Sequence, residues 1–247
     1  MSGGIMFACF VLGGVVPPYC KESYCPSGKT NVGCMPPPPA GGPACDPSNI
    51  PFAMGADLQA LILQLHNNHR SLLANGGLGS FPKARRLPEL KWDDELASQA
   101  EHLTRSCVIT IDKCLNTAQF RNTGQNIGYT TQATTSDLNA LIRQFVNEWW
   151  NENQFTNEAQ IASFPSDPQI PPIREFAHMA NDRALKVGCA MHFWKEEGTI
   201  DTYYFVCNYS STIIAGEPVY VAGPTVSGCE NNMSEDYLGL CLVDGTN

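Results

Sequence analysis

Cysteine placement constrains this chain more than any other feature. There are eleven cysteines in 247 residues. Cys9 stands apart, inside an uncharged apolar run of twelve residues at 5–16 that Pro17 and Pro18 close. Such a run is too short to span a bilayer and has the length of a secretory h-region, although the preceding Met-Ser-Gly-Gly supplies no positive charge. Residues 1–18 are therefore read as a signal peptide, with a buried N-terminal strand as the competing reading. The chain is expected to be secreted and to carry no transmembrane anchor. The other ten, Cys20, Cys25, Cys34, Cys45, Cys107, Cys114, Cys189, Cys207, Cys229 and Cys241, form an even set. In an exported chain this implies five bridges and no free nucleophilic thiol, with the connectivity left open.

Residues 19–51 contain Pro36 to Pro39 and Gly41-Gly42, which exclude regular structure, so this arm is expected to be held by disulfides alone. Asp57 then reads as the N-cap of a helix with Leu58, Leu61, Ile62, Leu65, His69, Leu72 and Leu73 at helical spacing, stopped by Gly76-Gly77. On it, His66 and His69 are either half of a metal site or structural. No His-Glu-x-x-His accompanies them, and the structural reading is preferred. Asp93 reads as the cap of a second helix with Leu96, Ala97, Ala100, Leu103 and Cys107 on one face, and Trp92 as a core anchor. Ile127 and Tyr129 suggest a short strand. Thr135 or Ser136 opens a third helix whose stripe is Leu138, Leu141, Ile142, Phe145 and Trp149, and Glu152 continues that stripe. A carboxylate on an inward face is costly unless it is paired or serves a site, so Glu152 is the leading candidate for a functional position. The alternative is a frayed helix end at which Glu152 meets water. Residues 187–193 and 202–206 are rich in β-branched and aromatic types around Lys195-Glu196-Glu197-Gly198, which predicts an antiparallel hairpin with Cys189 facing Cys207.

Composition narrows the function. One large domain is the natural expectation at this length with 43% hydrophobic residues. A net charge of −9 argues against nucleic acid and against an anionic membrane surface as partners. No Gly-x-Ser-x-Gly and no phosphate-binding glycine loop is present, and Ser80-Phe81-Pro82-Lys83 matches Ser-x-x-Lys only as chance allows. Asn208-Tyr209-Ser210 and Asn232-Met233-Ser234 have the form of glycosylation acceptors, the first overlapping a strand end where burial works against modification. The proline-punctuated loop 165–172, with Phe164, Ile170 and Ile173, either roofs a hydrophobic pocket or simply packs.

Several of these segments occur together in a known order. Tyr19-Cys20-Lys21, His66-Asn67-Asn68-His69-Arg70, Leu90-Lys91-Trp92-Asp93, Gly124-Gln125-Asn126-Ile127, Glu175-Phe176-Ala177-His178-Met179, Val187-Gly188-Cys189 and Cys207-Asn208-Tyr209 resemble the CAP superfamily in its insect antigen 5 branch, over residues 19–241. The resemblance implies an α+β fold, a three-layer α-β-α sandwich with a disulfide-stapled N-terminal arm. It implies the pairs Cys20 with Cys34, Cys25 with Cys114, Cys45 with Cys107 and Cys189 with Cys207, leaving Cys229 with Cys241. The expected organisation is a signal peptide at 1–18, a cysteine-rich arm at 19–55, the CAP domain at 56–215 and an extension at 216–247.

CAP proteins line a central cleft with two histidines and two glutamates that hold a divalent metal in some members. Carried over position by position, the first histidine falls at Ile111, the glutamate of the Gly-Glu-Asn motif at Gln125, the helix glutamate at Glu152 and the last histidine at Glu175. Zinc wants imidazole or thiolate, so no metal and no cofactor is expected. His178, one turn after Glu175, can either swing in beside Glu152 and Glu175 or lie at the surface. The two carboxylates alone suit a hard cation weakly or share a proton. The resemblance thus implies a monomeric, non-enzymatic effector of saliva, venom or reproductive fluid that binds a small hydrophobic ligand, such as a sterol or eicosanoid, or a host extracellular protein. A metal-dependent hydrolase using the central cleft is the alternative, and the lost histidines weigh against it. An integrin blocker, the third idea, lacks Arg-Gly-Asp where Pro26-Ser27-Gly28-Lys29 stands.

Overall fold

The structure, a computed structural model, describes residues 18–167, 172–196 and 200–243. The expected signal peptide up to Pro17, the tip of the hairpin turn and Ile170 lie outside the described residues. The elements in chain order are β1 (Ile50–Phe52), α1 (Ala56–Ala74), β2 (Lys91–Trp92), α2 (Asp94–Thr104), β3 (Gly124–Thr130), α3 (Leu138–Asn151), α4 (Glu158–Ala162), α5 (Arg174–Ala180), β4 (Lys186–Glu196) and β5 (Ile200–Tyr209). The sheet runs β1-β4-β5-β3, and the short β2 lies parallel to the start of β4. All other pairings are antiparallel.

Alternation along β5 builds the three layers. Tyr203, Phe205, Cys207 and Tyr209 point into the main core with α1, α3 and α5, while Tyr204 and Val206 meet Ala100 and Leu103 of α2 on the opposite face. Trp149 stacks on Phe205 at 5.3 Å and donates Nε1–H to the Ile127 carbonyl, locking α3 onto the sheet. Gly188 lets α2 sit this close, because a Cβ there would come within 2.2 Å of Ala97 N and 2.3 Å of Asp93 O. The fold is the expected α-β-α sandwich of the α+β class.

Cys189 and Cys207 face each other in the β4–β5 register and are joined. The remaining bridges are Cys20–Cys34, Cys25–Cys114 and Cys45–Cys107, as the resemblance implies, and Cys229–Cys241, the pair it leaves. The C-terminal bridge closes a segment that packs Leu240 into the core and exchanges backbone hydrogen bonds with Leu87 and Glu89. Glu89 is buried there between Lys91 and the Ser234 hydroxyl.

Five local expectations are corrected. The N-terminal arm is not held by disulfides alone. It contains three 3-10 turns, ends in β1 against β4, and is tied by Asn31 to Asn116, Gly42 to Arg105 and the Tyr19 hydroxyl to Glu95. The N-cap of α1 is Gly55, with Asp57 in the first turn where its charge meets the helix dipole. Leu72 is exposed, because the buried stripe of α1 runs through His66, Asn67 and Arg70 instead. The cap of α3 is Asp137, whose carboxylate accepts from Asn139 N. Cys107 lies beyond α2 at φ 53, since the helix closes at Thr104.

Candidate functional site

Glu152 sits where α3 tightens into the 3-10 turn Glu152–Phe155. Its half-buried carboxylate reaches α5, where Phe176 N donates to Oε2 at 3.1 Å and the Glu175 N–H donates as well. The N-cap of α5, Ile173, has no side-chain acceptor, so Glu152 caps this helix from a different element. The Glu175 side chain stands against the Glu152 carboxyl. Burial first, then the Glu175 charge, raise Glu152 to about 8, against the two backbone N–H groups that favour its ionised form. At neutral pH the Glu152 carboxyl is therefore held largely in its protonated form.

Behind this pair lies a buried polar relay with every ring nitrogen satisfied. The Ile62 carbonyl accepts from His66 Nδ1 at 2.8 Å, and His66 Nε2 accepts from the Tyr209 hydroxyl at 2.9 Å. Asn126 donates to that hydroxyl at 3.1 Å and to the Glu175 carbonyl at 3.0 Å. Its amide oxygen accepts from His178 Nδ1 at 2.9 Å, and the Thr212 hydroxyl meets His178 Nε2 at 3.2 Å. Burial pushes His66 down to about 4 and His178 down to about 3, so both rings are neutral. Arg70, fully buried beside them, donates five hydrogen bonds to the carbonyls of Pro88, Met179, Asn181 and Ala184. Burial lowers it to about 9, which still leaves it charged at neutral pH.

His178 is therefore neither at the surface nor beside the carboxylates. It stacks on Tyr209 and positions Asn126, which in turn holds the α5 backbone at Glu175. His66 and His69 diverge: the first joins the relay, the second stacks on Trp150 and bonds Asn147. Gln125 is buried on the α2 side of the sheet, its Oε1 accepting from Asp112 N at 2.9 Å and its Nε2 donating to Asn208 at 2.9 Å. Ile111, the neighbour of Asp112, is 45% exposed. The carried-over positions thus fall into two groups, Glu152 with Glu175, and Gln125 with the loop that bears Ile111.

Asp112 belongs to the second group and was missed by reading the sequence alone. Burial raises it to about 6, and its Oδ2 has no hydrogen-bond partner. The available signal was its place next to a residue that stands where the family has histidine. Asn126 was legible only as part of the Gly-Gln-Asn-Ile segment. As a donor set the cleft does not fit zinc: Ile111 offers no ligand atom, the Gln125 amide is committed on both ends, and both His178 nitrogens are engaged.

The profile of the cysteine-rich secretory protein family, CAP, matches residues 63–209. The chain belongs to this family, and within it is antigen 5-like. Venom allergen-1 of Aedes albopictus is 38% identical over 96% of this chain and 92% of its own length. Venom allergen-1 of Aedes aegypti is 38% identical over 95% and 91%, and Tabinhibitin 3 of Tabanus yao is 29% identical over 92% and 87%. Among solved structures, Na-ASP-1 superposes with a TM-score of 0.65 at 26% identity over 84% of this chain and 51% of its own. NaASP2 with Zn2+ superposes with a TM-score of 0.63 at 21% identity over 76% and 96%. No helix among the described residues is long and apolar enough to cross a membrane.

Proposed function

We propose that this protein is a secreted, monomeric, non-enzymatic antigen 5-like binder whose ligand is a small hydrophobic molecule of the sterol or eicosanoid type. Residues 1–18 are removed on export in this reading, and residues 56–215 form the binding domain, flanked by the stapled arm and the C-terminal extension. The single observation that carries the non-enzymatic part is the cleft itself, in which Glu152 caps a helix and is held protonated where a metal centre needs imidazoles. A carboxyl committed in this way is a poor general base and a poor metal ligand, which weighs against the hydrolase alternative.

Support for the ligand comes from an open cavity of about 420 Å³ between β1, α2 and β4, where Phe52, Met54, Trp92 and Ala190 form an apolar wall and Asp94 and Glu101 a polar one. Its size falls in the range of small-molecule sites. Loop 165–172 is a weaker candidate, since Phe164 and Ile173 are buried in the main core. Titration of the full chain with a fluorescent sterol and with a fluorescent polyunsaturated fatty acid tests the reading. Saturable binding, weakened at least tenfold by Ser98→Trp at the cavity rim, is expected. No saturable binding of either probe, or binding unchanged in the variant, contradicts it.

A further inference from the structure

On the far side of the molecule from the carboxyl pair, the Cys45–Cys107 bridge lies against a histidine. His192 on β4 is fully buried, and one ring nitrogen and the two sulfurs all lie within 4.8 Å of one another. No other group of three metal-binding side chains this close is found among the described residues. The ring has a defined tautomer. Asn49 donates its amide nitrogen to the carbonyls of Ala40 and Asp46, which turns its oxygen toward His192 Nε2 at 3.1 Å. Nε2 therefore carries the proton and donates. Nδ1 is left as a bare lone pair, buried and without a hydrogen-bond partner.

A buried, unpartnered acceptor is unusual in a folded protein and calls for an explanation. A disulfide cannot donate to it, because neither sulfur carries hydrogen. We propose that Cys45, Cys107 and His192 form a latent three-ligand site for zinc or a similarly soft divalent cation, closed while the bridge is oxidised and opened by its reduction. A dithiol reductant supplies two electrons. The Cys45–Cys107 S–S bond breaks, each sulfur takes up one proton, and the dithiol leaves as its own disulfide. Cation binding then releases both thiol protons to solvent, so two thiolates and the Nδ1 lone pair coordinate while a fourth position stays open to water.

Three features fit this chemistry. Two thiolates and an imidazole are a preferred zinc donor set. The Nε2–H held by Asn49 is the outer-shell contact that orients metal-bound histidines. Burial, and secondarily the Arg105 charge, keep the His192 ring neutral, the form that can ligate. Cys45 is only half-buried, and Cys107 holds a left-handed backbone conformation that is strained for a residue with a Cβ.

The test is graded reduction of the folded full-length chain with a dithiol, with and without zinc, followed by alkylation and mass mapping. The expected result is one zinc per chain once Cys45–Cys107 opens, with Cys45 and Cys107 shielded from alkylation until a chelator is added. Cobalt in place of zinc should give thiolate charge-transfer bands. His192→Ala should weaken zinc at least tenfold, and Asn49→Ala, which leaves all three ligands in place, should weaken it in the same direction. The proposal is overturned if Cys45–Cys107 stays closed while the other bridges open, if zinc does not shield these two thiols, or if both variants hold zinc as the parent does.

Discussion

Glu152 shows how one side chain can look functional for a structural reason. It is a carboxylate on an inward helix face, as a site residue would be, yet its acceptors go to the first N–H groups of α5 and burial holds it protonated. Its raised value means that the neutral form stabilises the fold. That contribution is complete below the ordinary 4.5 and is lost as pH rises through about 8. Glu152→Gln, which keeps the hydrogen bonds without the charge, should flatten the fall in stability between pH 5 and 9 in chemical denaturation. Glu152→Ala should cost about 1–2 kcal/mol at pH 7 through the lost cap. The buried histidines have the opposite sign. His66 and His178 are depressed from 6.5, so their contribution is complete above 6.5 and is lost as pH falls toward 4 and 3. For His66 alone the loss approaches about 3 kcal/mol at the acid limit. Arg70→Leu should cost about 3–5 kcal/mol in urea unfolding, because four buried carbonyls lose their donor.

At the scale of elements, Gly188 is the tightest contact between layers. Gly188→Ala drives a methyl into the backbone of α2 and should lower stability by more than about 3 kcal/mol, read as a drop in the denaturation midpoint. The elements themselves were largely legible. The β4–β5 hairpin followed from its β-branched and aromatic runs, and α2 from Asp93 and its apolar face. Less legible were features decided by tertiary packing. Gly55 and Asp137 cap α1 and α3 although other polar residues stand nearby, and the polar stripe through His66, Asn67 and Arg70 is buried because carbonyls from α5 and residues 88–90 converge on it. The arm read as irregular because proline and glycine dominate it, yet Ile50–Phe52 near its end pair with β4, which no local pattern announces. Glu152 was legible as an anomaly, but its partner Glu175 came from the family resemblance and not from spacing.

At the scale of the molecule, Cys25–Cys114 and Cys45–Cys107 tie the arm to the sandwich, Cys20–Cys34, Cys189–Cys207 and Cys229–Cys241 close loops within the arm, the hairpin and the C-terminal segment, and that last segment joins the sandwich through backbone hydrogen bonds and Leu240. Each should contribute on the order of 2–4 kcal/mol through restriction of the unfolded chain. The same burial sorts the two glycosylation sequons. Asn208 is fully buried and donates to the Leu96 carbonyl, whereas Asn232 is exposed on the loop closed by Cys229 and Cys241. Peptide mapping of the protein from its own fluid should find glycan on Asn232 and none on Asn208. Native mass spectrometry of that same material, with and without a chelator, decides whether the cleft with its protonated Glu152 excludes a metal while a ligand binds elsewhere. The expected result is a co-purified lipid mass, no chelator-sensitive ion, and an unchanged spectrum for Glu152→Ala apart from the substitution. A stoichiometric metal that the chelator strips and Glu152→Ala abolishes would contradict it and return the cleft to catalysis.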